Sequence, residues 1–448
     1  MNALRKFLPP IALVSALALV PVTASSFAAA DTTNYEELEK FMAVYQQVKQ
    51  HYVVPVDDHT LIKGAIDGML SSLDPHSSYA EGADYDALKT LIEGSYGGLG
   101  LSVGMEDGTV KVITPTEDTP AWKAGIKAGD YITHINGELI YGFTLDEAVE
   151  KMRGKPGTPI KLTIVRKGRD KPFDVSIVRE EIKLRPVKWE VKEGIGYLNI
   201  NQFANGTGDA TEAAITAIDK ATGGHPLGYI VDLRSNPGGS LDEAIQVSDA
   251  FLDSGEIVSQ RGRDKDDIQR YYAKPGDLTH GLPVIVLTDV GSASASEIVA
   301  GALQDHRRAL VMGERTFGKG SVQSIAMLGD RTALRLTTAR YYTPSGHSVQ
   351  EGGIDPDVAV PQLSDPDYKD RPRVREADLR RHLLSETKAD DKILEAADTI
   401  SDDPRFLMTA ADLKKRGIED FQLDYALKTL KRIAGPVVPT TTIAKKGQ

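Results

Sequence analysis

Ser294 stands at the centre of the run GSASASE, residues 291–297, and Lys319 follows 25 residues later, framed by glycines in GERTFGKGSVQ. A serine hydroxyl becomes an effective nucleophile when a neighbouring base takes its proton, and a lysine amine can be that base once it is neutral. An unperturbed lysine keeps its proton up to about pH 10.4, so it needs a dry, apolar setting that disfavours its charge. The residues around Phe317, Gly318 and Val322 are small or apolar and would provide one. Ser292, Ser294 and Ser296 all carry a hydroxyl, and chemistry alone does not choose among them. The outer two also suit a turn and a helix N-cap.

Groups of this kind must be aimed by regular elements. An apolar run at residues 282–287 leads into the serines, and Ile298, Val299, Ala302 and Leu303 leave them at helical spacing. A strand-to-helix turn is predicted there, where the first N–H groups of the helix are unpaired and can face an oxyanion. RSNPGGS, residues 234–240, is a second such turn, between the buried strand GYIVDL and a helix starting at Leu241. Gly238 and Gly239 would let backbone N–H groups face a cavity, although a turn that merely starts a helix has the same composition. A short strand at residues 197–200 and a helix at 211–218 precede it, and the alternation predicts an α/β core with its site at strand C-termini.

Upstream, residues 31–96 read as packing helices: Leu38, Phe41, Met42, Tyr45 and Val48 recur at helical spacing, as do Leu61, Ile62, Ala65, Ile66, Met69 and Leu70. The turn DPHSSY, residues 74–79, interrupts them, and His76 reads as a structural hydrogen-bonding group. Residues 96–183 change to short β-like runs and turns. With GLGL (Gly98, Leu99, Gly100, Leu101), AGIKAGD at 124–130 and ING at 135–137, this segment resembles a PDZ domain. That resemblance implies capture of a protein C-terminus, the GLGL amides holding the carboxylate and a strand edge taking the peptide. Ala148, Val149 and Met152 of a predicted helix near residues 144–152 would line the side-chain pocket or pack on the sheet. Arg166 is a candidate regulatory residue coupling this module to the core.

Taken in order, DPHSSY, the PDZ module, DLRSNPGGS, GSASASEIVAGALQD, GERTFGKGSVQ and GGIDPDV resemble the carboxyl-terminal processing, or tail-specific, proteases over about residues 35–360. The resemblance implies a crotonase/Clp-protease-like α/β catalytic core with an inserted PDZ domain and helical N- and C-terminal segments. The corresponding limits are a signal peptide at 1–30, a helical region at 31–95, the PDZ domain at 96–183, the serine peptidase core at 184–365 and a helical region and tail at 366–448. It also implies Ser294 as nucleophile, Lys319 as general base, Gln323 as the residue supporting the lysine, and Gly238 or Gly239 with Ala295 N–H as oxyanion donors. Asp289 departs from the asparagine frequent in the family and puts one nearby hydrogen bond in question. A homo-oligomer is a further implication, no adaptor is identified, and protein C-termini are the expected partners, with the PDZ module delivering the tail and gating the site.

Composition bounds the alternatives. A net charge of −11 disfavours nucleic acid. The absence of cysteine removes thiol and disulfide chemistry, and the nine histidines form no HExxH or His/carboxylate cluster. No metal or other cofactor is expected. Arg5 and Lys6, the apolar stretch 8–22 and the alanines at 28–30 have the layout of a secretory signal, which predicts a periplasmic protein, with an uncleaved membrane anchor as the alternative. The last residues are charged, with an amphipathic stretch at 420–433 whose stripe Leu423, Ala426, Leu427 and Leu430 is expected to dock on the core. Three rival readings follow from the same residues. Residues 313–319 have the GxxxxGK skeleton of a phosphate loop, but position 320 is Gly where Ser or Thr would bind magnesium. A Ser/His/Asp triad would recruit His306 or His347, although a histidine at a helix end also complements the helix dipole. A non-catalytic PDZ scaffold would keep the module and not need the pair.

Overall fold

The computed structural model describes residues 32–264, 266, 268–368, 370–386 and 403–435. The expected export signal at 1–30 lies outside them. Helix α1 (Thr32–His51) precedes α2 (Asp58–Ser71), and the first residue of α2 ties the two, because Asp58 accepts from Tyr45 OH at 2.7 Å and Lys49 Nζ at 2.8 Å. The stripe expected to pack is open over the first part of α1, where Leu38, Phe41 and Met42 are 59%, 43% and 48% exposed, and half-buried at Tyr45 and Val48. The DPHSSY turn ends in strand β1 (Ser78–Glu81), which precedes α3 (Gly82–Glu93), so the region expected to be helical also contributes a strand.

The PDZ-like module starts with β2 (Ser95–Gly98), which pairs with β9 (Glu180–Lys183), so its two ends leave side by side. Between them lie β3 (Leu101–Glu106), β4 (Thr109–Pro115), the short helix α4 (Pro120–Lys123), β5 (Tyr131–Ile135), β6 (Glu138–Leu139), α5 (Leu145–Met152), β7 (Pro159–Val165) and β8 (Phe173–Val178). The sheet runs β3-β4-β5-β7-β8, which leaves β3 as an edge. Alternation along β7, with Ile160, Leu162 and Ile164 buried and Pro159, Lys161 and Val165 exposed, builds the core with Ala148 and Met152 of α5. Thr144 caps α5 through a reciprocal bond with Glu147.

The α/β region follows with β10 (Val187–Lys192), β11 (Ile195–Ile200), α6 (Thr207–Ala221), β12 (Tyr229–Asp232), α7 (Leu241–Asp249), β13 (Glu256–Arg261), β14 (Ile268–Tyr272), β15 (Val284–Thr288), α8 (Ala295–Asp305), β16 (Ala309–Gly313), β17 (Ser321–Gly329), β18 (Thr332–Tyr342) and β19 (Val358–Ala359). One sheet has the order β10-β11-β12-β15-β16-β19, parallel from β11 onward. Its central strands are buried on both faces, β12 and β15 completely, as continuous Val/Ile/Leu runs require. Helices α6, α7 and α8 cover one face, burying Ile215, Val247 and Val299. The other face takes α9 (Ala410–Lys415) and α10 (Phe421–Ala434), whose Ala426 and Leu430 are buried against Ile230 and Leu287, with Leu423 and Leu427 packed beside them. A second sheet, β1-β18-β13-β14 with β17 paired to β18, stands beside it. Among the described residues of 366–386, expected within a helical region, the helical structure is a three-residue 3-10 turn, Glu376–Asp378.

Candidate active site

Three adjacent parallel strands, β12, β15 and β16, end at one edge of the sheet, and each releases one of the segments singled out by sequence. β12 leads to the Arg234–Ser240 turn, β15 to the serines and β16 to the lysine segment. Ser294 sits on the turn with φ +55° and ψ −112°, a conformation few non-glycine residues adopt. Such strain is kept where the surroundings impose it and is characteristic of an exposed nucleophile.

The three serines differ in what their hydroxyls do. Ser292 Oγ donates to Leu233 O at 2.8 Å and Ser296 Oγ to Asn236 O at 2.9 Å, and both residues are fully buried. Ser294 is half-buried and opens into a cavity of about 750 Å³, which Lys319, Gly238, Gly239, Ala295, Gln323, Arg335 and Tyr341 also line. The N-cap of α8 is Ser294, not Ser296, because the helix begins at Ala295, two residues earlier than an N-cap at Ser296 would place it.

Glu297 fastens the nucleophile to the lysine segment. One carboxylate oxygen accepts from Ser294 N at 2.7 Å and Lys319 N at 3.0 Å; the other accepts from Thr316 Oγ1 at 2.6 Å and Gly318 N at 2.7 Å. Burial pushes its carboxyl up to about 7 against the pull of these donors. Buried Tyr341 adds a second tie, its hydroxyl reaching Lys319 O and, at 3.1 Å, Ser294 O. Neither residue was singled out by sequence, although Ser294 and Glu297 form the S-x-x-E pattern of a helix start.

Burial lowers the Lys319 amine to about 8, with the Arg335 guanidinium pushing the same way and Glu376, Glu297 and Asp74 opposing. About a tenth of the amine is therefore neutral at pH 7 and about half at pH 8, the form a general base requires. Among the described residues no hydrogen bond joins Ser294 Oγ to Lys319 Nζ. Gln323 shares the cavity but donates to Ser321 Oγ at 3.0 Å and Thr337 Oγ1 at 3.2 Å, so its expected contact with the lysine is not made in this arrangement.

The candidate oxyanion donors separate. Gly238 N donates to Asn236 Oδ1 at 2.9 Å and is spent within its own turn, which leaves Gly239 N and Ala295 N. Asn236 also welds the turns together, its carbonyl accepting from Ala293 N at 3.0 Å. Gly238 remains essential by space: a Cβ there, at φ +99°, would lie 2.7 Å from Ala293 O and 2.8 Å from Ser294 Cβ. Gly238→Ala is accordingly expected to lower kcat on the order of 10²-fold, the loss typical of one misplaced oxyanion donor, with KM little changed in a steady-state assay. Asp289 accepts from Ser235 N at 2.7 Å and Gly291 N at 2.9 Å.

The rival sites do not assemble. His306 caps α8 and its Nε2 contacts Glu256 O at 2.7 Å, while His347 lines a different cavity. Gly318 N and Lys319 N, which a phosphate loop would offer to a ligand, are taken by Glu297, and the strand β17 follows where that loop needs a helix.

In the PDZ-like module, Gly98, Leu99, Gly100 and Leu101 line a cleft of about 100 Å³ with Val103 of β3 and Val149 and Met152 of α5. Ala148 belongs to the core instead. Leu99 O and Gly100 O accept from Ala121 N and Thr116 N in the module's body, so the trans peptides turn Gly100 N–H and Leu101 N–H the opposite way. Gly100 needs its φ of +74°, and a Cβ would meet Thr119 at 2.3 Å. Arg166 grips buried Asp130 with two 2.7 Å bonds and Gly125 O at 2.8 Å, all within the module. It braces the AGIKAGD turn, and these bonds all stay within the module.

Comparison with known proteins gives three family matches: Peptidase family S41 over residues 194–360, PDZ domain over 97–177, and the activating protease CtpB N-terminal domain over 20–83. A carboxy-terminal-processing protease of Bartonella bacilliformis is 49% identical over 403 residues, covering 90% of this chain and 90% of that protein. The carboxy-terminal processing protease CtpB of Bacillus subtilis is 37% identical over 358 residues, 78% of this chain and 72% of that protein. The solved photosystem II D1 C-terminal processing protease is 28% identical, covers 71% of this chain and 86% of its own, and has a TM-score of 0.42.

Proposed function

The chain belongs to the carboxy-terminal processing proteases of peptidase family S41, serine-type peptidases, and carries a PDZ domain; from that premise we propose an exported endopeptidase that captures protein C-termini in the PDZ cleft and cleaves with Ser294 and Lys319. The observation that carries the reading is the shared cavity, where one serine of three keeps a hydroxyl uncommitted beside a lysine whose amine burial lowers to about 8. Lys319 Nζ takes the Ser294 proton, Oγ attacks the scissile carbonyl, and Gly239 N–H and Ala295 N–H receive the oxyanion. Collapse of the tetrahedral species expels the amine, which takes the proton from Lys319. Water then attacks the acyl-enzyme with the same base. For the first transfer Nζ and Oγ must come within about 3 Å, which a rotation of the Ser294 hydroxyl or of the Lys319 side chain in the shared cavity supplies.

Recognition of the tail rests on the edge strand β3, able to add a peptide strand, and on Gly100 N–H and Leu101 N–H as carboxylate donors. The basic, apolar and small-residue layout of residues 5–30 supports export to the periplasm, with an uncleaved anchor as the variant of that reading. The test is mass spectrometry of products from an unfolded reporter protein with an apolar C-terminus, beside the same reporter with that terminus amidated. Amidation is expected to raise KM at least about tenfold, the worth of one lost charge-assisted contact of ~1.4 kcal/mol or more, with the same internal bonds cut. Equal KM for both reporters contradicts tail capture.

A further inference from the structure

The DPHSSY turn and the residues after the matched peptidase region have no part in the chemistry above, yet both end against the lysine segment. Glu376 is fully buried and accepts from His76 Nε2 at 2.8 Å and Gln350 Nε2 at 3.0 Å. The same Gln350 side chain, through Oε1, accepts from Gly320 N at 3.0 Å, the residue next to Lys319. Glu376 N donates to Phe317 O at 3.1 Å, and Arg375 Nη1 to Thr316 O at 3.2 Å. A second arm starts at Asp74, 3% exposed, which accepts from His76 N, Ser77 N and Ser77 Oγ, each at 2.8 Å. It also accepts from Thr337 Oγ1 at 3.1 Å, and that hydroxyl in turn accepts from Gln323 Nε2 at 3.2 Å. Arg335, in the wall of the catalytic cavity, joins the arms by donating to His76 O at 3.0 Å.

Buried ionisable pairs are on average no more stabilising than apolar residues of the same volume, so one placed behind a functional lysine calls for a reason. We propose that Asp74 and His76, before the PDZ domain, and Glu376, after the matched peptidase region, form a positioning network that holds residues 316–320 and fixes the charge facing Lys319. The proposal rests on the Ser294/Lys319 reading. Four charged groups face the amine: Arg335 of β18, Glu376, Glu297 of α8 and Asp74 before β1; the three carboxylates favour its protonated form and Arg335 opposes it. Gln350, neutral, carries position without charge.

The experiment follows cleavage of the unfolded reporter by the full chain against pH. Glu376→Gln keeps shape and an acceptor but removes a negative charge, so the ascending limb of kcat/KM should move to lower pH by on the order of half a pH unit, less than a contact pair gives. Glu376→Asp should leave the limb in place. Gln350→Met should lower kcat roughly tenfold at every pH, with KM within about twofold, since misplacement of a reacting group acts mainly on the transition state. A Glu376→Gln limb at the wild-type position, or a Gln350→Met kcat equal to wild type, overturns the proposal. If Glu376→Gln loses its cooperative thermal transition, Asp74→Asn removes a charge of the same sign and must move the limb the same way. Lys319→Met is the reference: if it cleaves normally the Ser/Lys reading itself fails, whereas an inactive Lys319→Met beside an unmoved Glu376→Gln limb sinks only the network.

Discussion

Ser294→Ala is expected to lower kcat for cleavage of an unfolded reporter by about 10⁴–10⁶-fold, the range for removing a nucleophile that acts as a unit with its base, while its unfolding midpoint stays within a few degrees of wild type. The first half follows because no other hydroxyl on the turn is available. Ser292 Oγ and Ser296 Oγ are committed to Leu233 O and Asn236 O in fully buried positions. The second half follows because Ser294 Oγ makes no hydrogen bond among the described residues, and what holds the turn is Glu297 on Ser294 N and Tyr341 at Ser294 O, both reaching backbone that alanine keeps. Ser292→Ala and Ser296→Ala should show the reverse pattern. Each leaves a buried carbonyl short of a donor, at about 1–3 kcal/mol of stability, and each should keep activity within an order of magnitude once folded. Steady-state kinetics with differential scanning calorimetry on the three variants separates the patterns. Loss of cleavage in Ser292→Ala with retention in Ser294→Ala would reassign the nucleophile.

Ser294 and Lys319 were legible because residue type, spacing and local pattern point together: an apolar strand, a small-residue turn, a helix, then a lysine among glycines. The parallel order β12-β15-β16 then brings the segments side by side, which alternating strands and helices already suggested. What stayed hidden depends on directions or on distant contacts. Gly238 and Gly239 are equivalent as letters, and only the Asn236 side chain, by consuming one N–H, tells them apart. Gln323 has a donor that can reach a lysine or a threonine, and strand pairing puts it beside Thr337. Arg166 ends a strand as a surface arginine would, but Asp130 lies buried within its reach. His76 and Glu376 are 300 residues apart, and no local periodicity announces such a pair. The α1 stripe has helical spacing, yet spacing carries no information on whether a partner covers it.

Lys319→Met is expected to act on activity and stability in opposite directions. Removing the base should lower kcat/KM by about 10⁴-fold near pH 8, the upper range for one acid–base group, and should flatten the pH profile. In the wild type, activity should rise through pH about 8 as the amine loses its proton. Protonation of Glu297, whose carboxyl stands at about 7, weakens the clamp on Ser294 and Lys319 and steepens the acid limb, so the two apparent values belong to the pair jointly. Stability runs the other way because the folded amine sits at about 8 against 10.5 for the free side chain. Between those values the unfolded chain binds more protons, so wild-type stability climbs as pH rises from 8 to 10.5 and is reduced by its full amount below 8. At ~1.36 kcal/mol per pH unit that reduction is about 3 kcal/mol. Methionine fills similar space without charge, so the variant should be more stable than wild type by about 1–3 kcal/mol at pH 7. The gap should close by about pH 11, where the wild-type amine is neutral in both states. Denaturant unfolding at pH 7 and pH 10.5 measures it. An equally active methionine variant would return the base to a histidine, and a variant less stable at pH 7 would mean that the folded lysine is not held against its charge.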